Sequence, residues 1–222
     1  MNLTHKRVLI TQADRFMGPA LVEGFVDAGA DVIANQQSLD SEDAVNAIVS
    51  HSGNIDVLIA NLAYPRPDKL VHELTDSTVI PLFEALVYPL VRLGSAVLPQ
   101  MVERRAGKIL VMGSAAPMRA FPRSASYAAA RAAQLAWMRC AAHEVAPHNV
   151  QVNAIAQNFV ENPEYFSAQY QASEEFKRRL VQVPAGRLGT AYEDVNLAKF
   201  LCSDACNFLT GAAVPFTGGW SF

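Results

Sequence analysis

Short apolar runs punctuate the chain: "RVLI" from Arg7, "DVIA" from Asp31, "DVLIAN" from Asp56, "KILVMG" from Lys108, "VQVNAIA" from Val150 and "AAVPFTGG" from Ala212. Each is strand length, and most of the intervals between them carry helical spacing, as in Pro19 to Ala28, about Leu82 to Arg105 and about Ser126 to Val145. Strands alternating with helices predict a parallel sheet covered on both faces, a Rossmann-like, doubly wound α/β fold. Pro215 has no N–H to give a central ladder, so the last strand belongs at an edge. No linker, charge block, repeat or low-complexity tract divides residues 1–222, which read as a single domain.

One interval is short. Between Ala34 and Asp56 there is room for one helix and at most a vestigial strand. In a dinucleotide-binding fold this region meets the ribose and adenine, and the acidic residue expected at the end of the second strand is Asn35.

Composition narrows the partners. About half of the 222 residues are apolar, enough for a sizeable core, and the net charge of -3 comes with scattered Lys and Arg. There is no basic stripe for nucleic acid and no polybasic patch for a membrane, which points to a small-molecule partner. The start "MNLTHKRVLI" lacks a secretory pattern and no run approaches the ~18 apolar residues of a membrane span, so a cytosolic protein is expected. Three cysteines, Cys140, Cys202 and Cys206, read as reduced thiols. Cys202 and Cys206 lie four apart on an expected helix, but no histidine accompanies them, and none of the five histidines has zinc-type spacing. No metal is implied.

Two stretches carry candidate chemistry. "VLITQADRFMG", Val8 to Gly18, runs from a strand through a loop into a helix, the setting of a phosphate-binding loop, yet Gln12 and Phe16 stand where such a loop wants glycine. Against a filled loop, Arg15 is a basic residue of the kind that holds the extra phosphate of NADP in a reductase, a reading that Asp14 beside it weakens. The second stretch is the strand "KILVMG" ending near Ser114, followed by Tyr127 and Arg131 in "SYAAARAAQLAW". Tyr and Arg four apart share one helix face, and a serine at the carboxyl end of the neighbouring strand opens toward the same crevice. A free tyrosine is only about 0.1% ionised at pH 7. A cation held against its oxygen favours the phenolate, and a guanidinium supplies that charge without giving up a proton. A Tyr with an Arg one turn later is also a common surface or core-edge pair, so context decides.

Taken together, the strand-loop-helix start, "ANLA" at 60–63, Ser114 with Tyr127, "NAIAQNFVEN" at 153–162 and "GRLGTAYEDVNLAKFLCSDACNFLTG" from 186 resemble the short-chain dehydrogenases/reductases end to end. That resemblance implies a Ser, Tyr and Lys set in which the lysine also holds the nicotinamide ribose; this sequence has Arg131 there. Other departures fall in the same apparatus: Gln12 and Phe16 for glycine, Gln157 and Asn158 for a Pro-Gly turn, and Leu86 or a neighbour where the family often carries an asparagine. A Ser, Tyr, Arg set with a filled phosphate loop resembles the halohydrin dehalogenases, and "FTGGWSF" at the end is similar to one branch of them.

The resemblance implies a cofactor-independent carbon-halogen lyase. Tyr127 takes the hydroxyl proton of a vicinal halohydrin, Ser114 holds that oxygen, and Arg131 favours the tyrosine's charged form and relays the proton. The oxygen displaces the halide internally, giving an epoxide. In reverse, azide, cyanide or nitrite opens the ring. The halide is expected in a nest of backbone N–H groups around Asn158 and Phe159 beside Gln157, walled by Phe16, Phe159 and Phe166, with Tyr165 an equal candidate for the lining. Each aromatic is also ordinary core material. The resemblance further implies a homotetramer built on the long helices, and leaves open whether Trp220 reaches a neighbouring site. Two alternatives stand: an NAD(P)-dependent reductase with an atypical loop, and a non-catalytic regulatory domain.

Overall fold

Strands buried on both faces have no polar alternation to show, and the longest apolar runs fold that way. β3 (Val57–Asn61) and β5 (Val150–Gln157) are buried at every position. The computed structural model describes residues 2–222. It places these strands with β1 (Arg7–Ile10), β2 (Asp31–Ala34), β4 (Gly107–Met112) and β6 (Ala213–Phe216) in one parallel sheet of order β2-β1-β3-β4-β5-β6. Pro215 lies in the edge strand β6, opposite Ala156 of β5, as its missing N–H requires.

Side chains leave the sheet alternately. Val8 and Ile10 point to a layer formed by α1 (Gly18–Asp27) and α8 (Ala191–Cys202), where they join Leu21, Phe25, Val195 and Leu201. Leu9 and Leu58 point the other way and join residues of α2 (Glu42–Ser52), α4 (Tyr88–Arg104) and α5 (Ala125–Val145). The short interval after β2 holds the helix α2 and no strand, so β3 pairs directly with β1. The winding direction therefore reverses between β1 and β3, and loops at the carboxyl ends of these strands open a crevice there.

Two expectations need correction, and one element was not expected. The helix expected over about Leu82 to Arg105 begins earlier, as α3 (Asp76–Leu86), breaks at Val87 and resumes as α4. Pro89 in the first turn of α4 has no N–H to carry the ladder back into α3, which accounts for the break. Cys206 is not helical: α8 ends at Cys202, and Cys206 follows in a turn, its N–H donated to the Ser203 carbonyl at 3.1 Å. The unexpected element is a small cap, α6 (Ala168–Gln171) and α7 (Glu174–Leu180), which apolar periodicity did not reveal and whose Phe176 meets Phe166 and Tyr170 edge to face at 5.9 and 5.5 Å.

The stretch Asp76–Arg104 is long and apolar enough to cross a membrane by length and composition alone, its most apolar 18 residues having a mean hydropathy of 1.4. Here it packs inward through Leu82, Leu86, Leu90, Leu93, Val97 and Met101, spaced three or four apart as in an amphipathic core helix.

Candidate active site

Tyr127 and Arg131 sit one turn apart near the start of α5, which packs on β5 beside β4. Arg131 Nε donates to Tyr127 Oη at 3.0 Å. The guanidinium carbon also lies 5.1 Å from the centre of the Tyr127 ring. Arg131 is 1% exposed, and its Nη1 donates to the Met112 carbonyl at 3.1 Å and to Gln134 Oε1 at 2.9 Å. Gln134 Nε2 in turn donates to the Leu86 carbonyl, at 2.7 Å, at the end of α3 just before its break. Leu86, within the stretch where the resembled family often carries an asparagine, thus contributes a carbonyl that holds Gln134 against the guanidinium.

Among the described residues no carboxylate pairs with Arg131, and its Nη2 is buried without a partner. The guanidinium thus brings an unneutralised positive charge to the Tyr127 oxygen inside a buried site. Ser114 follows β4 by two residues, and its Oγ accepts the Ala116 N–H at 3.1 Å, leaving the hydroxyl proton for a ligand.

A cavity of about 510 Å³ opens in front of this trio, lined by both Ser114 and Tyr127. Gln157, Asn158, Phe159, Tyr165 and Phe166 line it from β5 and the segment after it, and Phe16 from the loop after β1. Every candidate except Arg131 therefore borders one space, and Arg131 stands behind Tyr127. Phe16 meets Tyr165 edge to face at 5.4 Å, and Phe159 stacks on Phe166 at 6.0 Å. Burial pushes the Tyr165 phenol well above its usual range, with nearby Tyr127 adding to the effect. Its hydroxyl stays protonated and donates to the Tyr64 carbonyl at 3.0 Å.

The halide nest is not as expected. The Asn158 N–H donates to the Phe216 carbonyl at 3.1 Å, continuing the β5–β6 ladder, and the Phe159 N–H donates to Asn158 Oδ1 at 3.0 Å. Phe159 has the left-handed backbone of a nest, φ +56, but both amides are already used. Gln157 borders the cavity but spends its amide on a neighbour: Nε2 donates to Asp194 Oδ2 at 2.5 Å, while Oε1 is buried without a partner. Asp194 is fully buried, and burial pushes its carboxyl up to about 7 against the opposing effect of that hydrogen bond.

The loop after β1 keeps a glycine-loop backbone without the glycines, with Gln12 at φ +44 and Phe16 at φ +53. Asn61 Nδ2 holds it from β3 by donating to the Gln12 and Arg15 carbonyls, each at 3.0 Å. Gln12 Oε1 accepts the Ala63 N–H at 2.8 Å. Gly18 remains because a Cβ there would collide with the Gln12 carbonyl oxygen. Asp14 is not the counter-charge of Arg15; Glu164 is, through Arg15 Nη2 at 2.9 Å, and its other oxygen accepts the Phe16 N–H at 2.6 Å. Asn35 is occupied within its own turn, exchanging hydrogen bonds with the main chain of Gln37 at 3.2 and 3.4 Å. The Phe16 N–H is taken by Glu164, an aromatic ring lies beside it and no carboxylate stands at the ribose position, three departures from the pattern by which such loops hold a dinucleotide.

Sequence reasoning missed Glu164, Tyr64, Arg66, Phe121, Tyr170 and Arg179, which also line the cavity. Tyr64 stands three residues beyond β3, where its position at the carboxyl end of a strand was a usable signal. Glu164 lies 149 residues from its partner Arg15, and no local pattern connects them. Trp220 packs on this chain's own Phe121 and Phe159, at 5.7 and 6.2 Å, and its carbonyl accepts from Arg119.

A family model described as enoyl-(acyl carrier protein) reductase matches residues 30–221. The chain is 29% identical to the 3-oxoacyl-(acyl-carrier-protein) reductase FabG of Escherichia coli (strain K12), covering 99% of this chain and 98% of that one. The FabG of Vibrio cholerae serotype O1 is 30% identical with the same coverage. A solved structure named as a dehalogenation enzyme superposes with a TM-score of 0.93 at 32% identity, covering 100% of both chains. ElxO with NADP bound superposes at a TM-score of 0.89 and 22% identity over 97% of this chain and 98% of its own, which shows the fold alone.

Proposed function

We propose that this chain, which belongs to the short-chain dehydrogenase/reductase family by its match over residues 30–221, is a halohydrin dehalogenase that works without a nucleotide. One observation carries the reading. The cation in the family's lysine position spends its Nε–H on Tyr127 Oη and two further bonds on Met112 and Gln134, and it does not border the cavity. It is arranged to serve the tyrosine and not to hold a ribose. The dehalogenation enzyme at 32% identity supports the same reading.

In this reaction Tyr127 as phenolate takes the hydroxyl proton of a halohydrin oriented by Ser114. The C–O bond of the epoxide forms as the carbon–halogen bond breaks, and the halogen leaves with both electrons of its bond. The net products are epoxide, halide and a proton, so no hydride donor is needed. Protonated Tyr127 returns the proton when azide, cyanide or nitrite opens an epoxide. The exposed apolar residues Ile80, Tyr88 and Val91 on α3 and α4 suit the homotetramer expected for such an enzyme.

The second reading, an NADPH-dependent reductase, is favoured by the FabG names at 29% and 30% identity. The two separate in one assay. Bromide release from a simple vicinal bromo-alcohol in nucleotide-free buffer is the expected result. Absence of release, together with ketone-dependent oxidation of NADPH, overturns it in favour of the reductase.

A further inference from the structure

A main-chain N–H and a guanidinium aimed at one point are the donors with which loops of this kind take a phosphate. In the loop after β1 that point is filled from within the chain. Glu164 gives one oxygen to each donor, Oε1 to the Phe16 N–H at 2.6 Å and Oε2 to Arg15 Nη2 at 2.9 Å. The carboxylate is delivered by a pinned turn. Asn162, 3% exposed, accepts the Glu164 N–H on Oδ1 at 2.8 Å, and its carbonyl accepts the Tyr165 and Phe166 N–H groups at 3.2 and 2.7 Å. The next residue anchors the turn on a third loop, through the Tyr165 hydroxyl on the Tyr64 carbonyl.

We propose that Glu164 decides what this loop binds: its carboxylate is an internal substitute for a nucleotide's phosphate and closes the loop to phosphate-class anions. The inference rests on the nucleotide-free part of the function proposed above, and goes beyond it by assigning the exclusion to one side chain. A carboxylate there acts twice, by occupying both donors and by placing negative charge where a phosphate would bring more. Phe16 acts differently, by volume alone. If volume were the whole cause, removing the carboxylate would change nothing.

Inorganic pyrophosphate is the probe, because it needs the donors and not the space of a nucleoside. Calorimetry on the full chain is expected to give at least about tenfold tighter binding to Glu164→Ala than to the parent, the order expected when a charge-assisted hydrogen-bonding site is freed. The Arg15→Ala/Glu164→Ala double variant is expected to lose that gain. Glu164→Gln keeps an acceptor for the Phe16 N–H while removing the charge; a smaller gain in the same direction is expected and serves as the measurement should the alanine variant unfold. Pyrophosphate binding no tighter than in the parent for the folded variant, or a gain that survives Arg15→Ala, overturns the inference. The parent's bromide release judges the functional reading separately: release with no gain in pyrophosphate affinity leaves that reading standing and removes this one.

Discussion

The two sides of the cavity hold their charges differently. On the β4–α5 side, Arg131 is 1% exposed and is fixed by the Met112 carbonyl and by Gln134, itself held by the Leu86 carbonyl. On the β1-loop side, the side chains of Arg15 and Glu164 are 49% and 38% exposed and meet across two loops. A pair of that kind is worth about 0–1 kcal/mol and is screened by salt, whereas a buried charge is screened much less in its action on a neighbour. The proposed function therefore places the chemistry on the dry side, and the proposed exclusion places the choice of occupant on the wet one.

The largest expected effect tests the dry side. Tyr127→Phe removes the oxygen proposed to take the proton and should lower the rate of bromide release by about 10²–10⁴-fold. It also leaves Arg131 Nε without an acceptor in a buried site, which should cost about 1–3 kcal/mol of stability in urea unfolding. A variant that turns over at a rate comparable with the parent would make another group the base, and the comparison would lose its chemical half.

The same contrast explains what the sequence disclosed. The strands and the Tyr127–Arg131 pair were legible because each depends on local spacing: strand-length apolar runs, two residues four apart on a helix, a serine just past a strand. The break at Val87 was missed although Pro89 signalled it, because the apolar period continues across it. Glu164 was invisible, since its partner is supplied by a distant loop. The amides of Asn158 and Phe159 looked free in sequence and were spent on β6 and on a neighbouring side chain, a cost that only the three-dimensional ladder reveals.

An intermediate effect is expected at the seam, where Gln157 at the end of β5 donates to Asp194 of α8. The Asp194 carboxyl rises from 3.8 to about 7 through burial. A raised folded value means that the native state keeps its proton where the unfolded chain has lost it. Its contribution is fully present below about pH 4 and is lost as pH rises through about 7, a difference of up to about 4 kcal/mol. Asp194→Asn does not ionise and still accepts from Gln157. Its stability relative to the parent should therefore increase between pH 4.5 and pH 8. A difference that stays constant across that range would show that Asp194 is charged in the folded state and that the seam is as wet as the loop above it.

The smallest effect sharpens the wet side by separating space from donors. Phe16 is held at φ +53, a left-handed conformation that costs a non-glycine residue about 1–2 kcal/mol. Phe16→Gly relieves that strain but loses the edge contact with Tyr165 and makes the unfolded chain more flexible, so the net change should stay within about 1 kcal/mol. The substitution leaves the N–H at position 16 in place for Glu164. It should raise the KM for bromo-alcohol with little change in kcat, because a wall is lost and the Tyr127 side is untouched. It should not create affinity for pyrophosphate, because the donors remain occupied. Tight pyrophosphate binding by Phe16→Gly with Glu164 intact would reverse that assignment: volume would then be what excludes a phosphate, and the carboxylate would be a passenger on the loop.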